Sequence, residues 1–140
     1  MVTFTVKVEN AHNQHQVSLQ TGDHRQALTV APKPGGYGSS MNGAEALLLA
    51  IATCACNDLY REAERAGMAV SQVTVTVDGR YDGVPSHPIT DIVYHVSVEA
   101  DAPEAEIAAL IRSTDRVAEI HNTLRQGASV TLGEVRPRSR

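Results

Sequence analysis

The sequence predicts an α+β fold, on three observations. Strict apolar–polar alternation marks several short strands. One long helical stretch, Ala44 to Gly67, divides them, and two shorter helical stretches come late. With 140 residues this is the length of a single domain, residues 1–140, with one core. That core must be aliphatic, because the chain has one Phe and no Trp.

In order, Val2, Phe4, Val6 and Val8 alternate with polar residues as a half-buried strand does. A turn at 10–13 leads to a second strand through Val17 and Leu19. The turn TGDH leads to a third near Ala27–Ala31, which makes an antiparallel meander. Pro32–Ser40 is a loop by its Gly and Pro content. The long helix is punctuated at both ends: Asn42 and Glu45 have the spacing of a capping box, and Gly67 is placed to end it. Its first half, with Leu47 to Ala52 unbroken, is apolar on nearly every side and so is expected to be buried. Strands are expected around Val73–Val77 and over Ile89–Val98. A helix starts after Asp101 and Pro103, another carries Val117, Ile120 and Leu124, and a last strand runs near Ala128–Val135.

Composition removes several function classes. A formal charge of -4 without a Lys/Arg cluster excludes an electrostatic nucleic-acid footprint. The apolar run around Leu47 falls short of the roughly 20 residues that span a bilayer. The N-terminus lacks the basic and apolar regions of a signal peptide, so a cytoplasmic location is expected. The histidines show no metal spacing with a third ligand, and no cofactor motif is present, so neither a metal nor a cofactor is expected.

Chemistry concentrates on the long helix, which holds both cysteines, Cys54 and Cys56. Positions i and i+2 are about 200° apart on a helix, so these two thiols diverge and do not form a disulfide. Cys54 sits too far from the start of its own helix to gain from the dipole, and a cation must lower its pKa if it is to be a thiolate. Arg25 and Arg61 are the candidates, Arg61 lying on the Cys54 face. Nine residues of helix turn Glu45 away from Cys54 and separate them by roughly 13 Å. Within one chain the two cannot meet, so Glu45 is either the capping-box residue or, if it acts on Cys54 at all, acts on that of another chain. His121, near a helix end, reads from its position as a cation at a helix C-terminus, and Tyr37 is either a pocket lid or a loop anchor.

The pieces MNGAEALLLAIATCACNDL, REAERAGMAVSQVTVTVDG, HPITDIVYHVSVEA and HNTL, in this order and spacing, resemble the OsmC/Ohr family of thiol-dependent peroxidases, nearest its OsmC-like (YhfA-type) subgroup. The resemblance covers about residues 15 to 135. It implies an intertwined homodimer, with antiparallel sheets wrapped around long central cysteine-bearing helices. It also implies reduction of an organic hydroperoxide: a peroxidatic cysteine becomes a sulfenic acid, a second cysteine resolves it, and an arginine and a glutamate polarise the first thiol. Carried over, Cys54 matches the peroxidatic cysteine, Glu45 the glutamate, and Arg25 the arginine by region only, while His121 falls in the region of the second cysteine, which implies as the alternative to a helix-end cation a base lining a pocket near Cys54. Aligning His121–Leu124 puts Ala118, Glu119 and Ile120 where the family has Cys-Pro-Val, so the resolving cysteine is missing, and Gly43 replaces a proline. The resemblance therefore implies either a one-cysteine peroxidase served by an external thiol reductant, or a non-catalytic relative that binds a small hydrophobic ligand in the dimer-interface pocket.

Overall fold

The computed structural model describes all of residues 1–140. The elements run β1 (Phe4–Ala11), β2 (Gln14–Thr21), β3 (His24–Leu28), α1 (Gly43–Arg65), β4 (Val70–Arg80), β5 (Thr90–Ala100), α2 (Glu104–Val117) and α3 (Glu119–Gln126). The chain divides into two compact units, Met1–Leu47 and Leu48–Arg140. No helix is long and apolar enough to cross a membrane.

The first unit is the expected meander, β1-β2-β3, antiparallel throughout. Its third strand starts three residues earlier than expected, because Gly22 and Asp23 alone close the hairpin and Thr21 already pairs with His24. Gly22 supports this with a φ of +54°, a conformation glycine adopts at no steric cost. The pairings Val6 with Leu19, Val8 with Val17 and Val17 with Leu28 put these apolar side chains and Phe4 on one face. That face is largely bare: Phe4 is 74% exposed and Val6 65%. The Pro/Gly loop is pinned by the Asn10 amide, which donates to the Gly38 carbonyl at 3.0 Å and accepts from the Gly38 amide at 2.9 Å.

The cap of α1 is the reciprocal pair the spacing predicts. The Glu45 amide donates to Asn42 Oδ1 at 2.8 Å, and the Asn42 amide donates to Glu45 Oε1 at 3.0 Å. At the other end Gly67, at φ +68°, lets its own amide reach the Glu64 carbonyl and the Met68 amide reach that of Ala63, at 3.1 and 2.9 Å, a Schellman closure. An Asn42→Ala substitution is expected to lower stability by about 1 kcal/mol. Glu45→Gln, which can still accept the Asn42 amide, should cost only a few tenths. Urea denaturation of the three proteins measures both.

The second unit holds the core. In the β4–β5 hairpin Val73, Val75 and Val77 pair with Val98, Val96 and Tyr94. Leu59, Ala63 and Leu110 form the buried centre, with Met68, Val70, Val96 and Ile111 packed against it. On α1 the buried stripe is Ile51, Ala55, Leu59 and Ala63, a strict i+4 series. This corrects the expectation that the first half of the helix is the buried half. Leu48 is only half-buried and Leu49 is 49% exposed, because the helix turns one side to β4 and β5 and nothing in its own unit covers the other.

The expected strand at 128–135 does not form. The segment is without regular structure, with Val130 95% and Leu132 85% exposed. Its alternation suits a strand, but a strand also needs a ladder partner for its amides, and no sheet of the chain pairs with it.

Candidate functional site

Cys54 lies on α1 beside the junction of α2 and α3. The two helices are broken at Ala118, whose extended backbone (φ -71°, ψ 111°) ends one and starts the other. That break aims the first turn of α3 at the thiol, and the Ile120 amide faces Cys54 and favours its thiolate. The residue cannot use its own helix dipole, as expected, but it receives a free amide from a different helix N-terminus.

Two carboxylates oppose that contribution. Cys54 Sγ donates to Asp58 Oδ2 at 3.4 Å, and Glu119 Oε2 stands 4.0 Å away. Burial pushes the thiol above its ordinary pKa. The Ile120 amide pulls it down, and Asp58 and Glu119 push it up again. Arg61 is on the Cys54 face, as its spacing predicts, but Asp58 intercepts it. The guanidinium binds Asp58 Oδ1 at 3.0 Å and Glu62 at 3.1 Å. Within one chain the protonated thiol is thus favoured, with its hydrogen directed at the buried Asp58 carboxylate. Cys54, Asp58 and Glu119 bring their donor atoms within 4.8 Å of one another, and the Asp58 charge is already met by Arg61.

The raised thiol pKa gives a direct expectation. Alkylation of Cys54 should reach its midpoint at a higher pH than that of an ordinary cysteine. Asp58→Asn, which removes a charge that disfavours the thiolate, should move the midpoint down and speed alkylation at neutral pH. A profile unmoved by the substitution would show that Asp58 does not govern the thiol.

His121 is 5% exposed and sits in the first turn of α3, not at a C-terminus. Its ring packs edge-on against Tyr94, centroids 4.6 Å apart, and neither ring nitrogen has a hydrogen-bond partner. Burial lowers its pKa, and Arg125 lowers it further. It borders a cavity of about 260 Å³ with Ile51, Ile89, Ile92, Leu124 and Arg125. A larger hollow of about 490 Å³ lies on the polar face of β1–β3, but it holds no thiol and its Lys7–Glu9 pair is self-satisfied.

The other predicted residues have separate places in the first unit. Glu45 closes the capping box. Tyr37 rests its ring on His12 at 5.2 Å, the loop-anchor arrangement. Arg25 pairs with Gln20 across the hairpin, which sets it on the polar face, exposed and without an ion pair. Asp58, Glu119 and the Ile120 amide were not singled out from the sequence. Asp58 was within reach of helix arithmetic, four residues past Cys54 on the same face.

The family model described as OsmC-like protein matches residues 36–133. The fold is similar to that of an OsmC-like protein from Mycoplasma pneumoniae, with a TM-score of 0.61 at 20% identity over 88% of each chain. It is also similar to an organic hydroperoxide resistance protein, described as a predicted redox protein, from Legionella pneumophila, with a TM-score of 0.54 at 18% identity over 88% of this chain and 89% of that one. A third likeness is to an OsmC-like hydroperoxide resistance protein from Jannaschia, with a TM-score of 0.51 at 14% identity over 96% and 95% of the two chains. No curated protein matches the sequence.

Proposed function

Because the chain belongs to the OsmC-like family, on a model match spanning residues 36–133, we propose that it is a thiol-dependent redox protein that reduces organic hydroperoxides at Cys54. The observation that carries this reading is the convergence on Sγ of an acid–base partner, Asp58, and a helix N-terminal amide, Ile120. In the proposed step Asp58 accepts the thiol proton as sulfur attacks the outer oxygen of the hydroperoxide. The O–O bond breaks, an S–O bond forms, and the leaving alkoxide takes a proton to become an alcohol. The sulfur is oxidised by two electrons to a sulfenic acid, which two equivalents of an external thiol return to Cys54 with release of water and a disulfide. Ala118 in the resolving position makes the external thiol necessary.

A second copy of the chain completes the site in this reading. The bare apolar face of β1–β3, the half-covered leucines of α1 and the unpaired 128–135 segment are surfaces that a partner would bury. The unpaired Arg25 of that partner is the cation missing from Cys54, and its Glu45 is the polarising carboxylate. The test is consumption of cumene hydroperoxide in the presence of excess small thiol. Sustained turnover is expected, with a rate per chain that falls on dilution. Turnover equal to the buffer blank would sink the proposal and leave the second reading, an OsmC-like relative that binds a small hydrophobic ligand without chemistry. The missing resolving cysteine and the protonated thiol favour that second reading.

A further inference from the structure

The charges around Cys54 do not cancel. Asp58 Oδ2 meets the thiol at 3.4 Å, but the same carboxylate is paired with Arg61 at 3.0 Å. Arg61 also pairs with Glu62 at 3.1 Å, and Glu62 with Arg65 at 3.1 Å, so these two acids and two arginines form a neutral chain along α1. Glu119 is left over. Its Oε2 stands 4.0 Å from Sγ on an exposed side chain. Arg61 feels its field but ion-pairs with Asp58 and Glu62 instead. Glu119 is the first residue of α3, where the helix dipole favours an acid. His121, two residues on, is pushed toward its neutral form by burial and does not offset the charge.

Any reactant of Cys54 must bring its reacting atom to Sγ, so a charge a few bonds from that atom comes within about 5–7 Å of Glu119. At the nearly aqueous dielectric of an exposed carboxylate, an anion at that range is disfavoured roughly three- to tenfold against a neutral molecule of the same shape. A cation is favoured by a similar factor. A partner chain leaves this balance unchanged, since its Arg25 and Glu45 arrive together as one positive and one negative charge. The reactant sorted in this way is the reductant, because Ala118 leaves the sulfenic acid to an external thiol. The first thiol forms an S–S bond to Cys54 as the sulfenic oxygen leaves as water. The second takes the first thiol's sulfur into a disulfide and releases Cys54 as the thiol.

We infer that Glu119 sets the charge selectivity of Cys54, and that the external reductant is a small thiol that is neutral or cationic near its sulfur rather than one that carries a carboxylate there. The choice of reductant rests on the peroxidase reading, whereas the selectivity of the thiol itself does not need it.

Iodoacetamide and iodoacetate differ by one charge and react alike, the thiolate sulfur forming an S–C bond as iodide leaves, so their rate ratio cancels the thiolate fraction of Cys54. On the full chain carrying Cys56→Ser, the preference for iodoacetamide should be roughly three- to tenfold larger in the native protein than in the same chain in urea. Glu119→Gln should return the preference to the urea value, and Glu119→Lys should push it below. Salt at about 1 M, where the Debye length is about 3 Å, should flatten it in the parent. A merely structural glutamate would leave the ratio unmoved by Glu119→Gln. That result, a native ratio equal to the urea ratio, or a native thiol that reacts with neither reagent would each overturn the inference. In hydroperoxide turnover, cysteamine should outrun 3-mercaptopropionate at equal thiolate concentration, with Glu119→Gln closing the gap, and equal rates would overturn the choice of reductant. No turnover with any thiol would sink the peroxidase reading and that choice with it, while the alkylation ratio still decides the role of Glu119.

Discussion

Cys54→Ser is expected to reduce thiol-dependent hydroperoxide consumption to the rate of buffer alone, while Cys56→Ser retains the rate of the parent. A serine hydroxyl is not ionised at neutral pH and does not open an O–O bond, so no weaker route through residue 54 remains. The two thiols are not interchangeable, because they leave α1 in different directions. Cys54 meets Asp58 and the start of α3, whereas Cys56 borders a separate hollow with Ala52, Thr53 and Asn57. Rates of hydroperoxide loss at matched protein and thiol concentrations decide this. Equal loss in both serine variants would mean that neither thiol, or each indifferently, carries the reaction.

Leu59→Ala is expected to cost about 3 kcal/mol of stability. Leu59 is 2% exposed, the largest fully buried side chain, and it joins α1 to α2 through Leu110 in the cluster that Val70 and Val96 close from the sheet. Few other side chains share the burden, since only six hydrophobic residues are buried: Ile51, Ala55, Leu59, Ala63, Leu110 and Ala118. Three of these are alanines with little apolar area to contribute. Against a typical total of about 5–15 kcal/mol, the loss moves the urea midpoint down by about 1–2 M. A shift no larger than that of an exposed substitution such as Leu49→Ala would contradict the placement of the core.

What could be read from the sequence was whatever is decided within a few residues. The ends of α1 are local: Asn42, Glu45 and Gly67 determine them through adjacent amides. The hairpin of β4 and β5 follows from its valine alternation. What failed was non-local. Residues 128–135 have the pattern of a strand, but a strand exists only where another offers its carbonyls and amides. The burial of Leu48 and Leu49 likewise depends on what lies across from them, and apolarity alone does not say what that is. At the site, Cys54 and the reach of Arg61 came from helical spacing. Asp58 sits between them by the same spacing, but a carboxylate opposes the thiolate that a cation would support, and only the packing shows which of the two meets the sulfur first. Glu119 and the Ile120 amide arrive from 65 and more residues away, through a break at Ala118 that no local signal announces. His121 could be placed near the thiol from the family resemblance, yet its unserved nitrogens are a property of packing.

The central claim is that Cys54 is oxidised by a hydroperoxide, and intact-mass and peptide mass spectrometry test it most directly. The protein is treated with one equivalent of cumene hydroperoxide, without thiol, alongside a sulfenic-acid trap. The account predicts one trapped sulfenic acid per chain, located on Cys54 and absent from Cys56, and reversed when thiol replaces the trap. Cys54 left unmodified while free cysteine in the same tube is oxidised would contradict it.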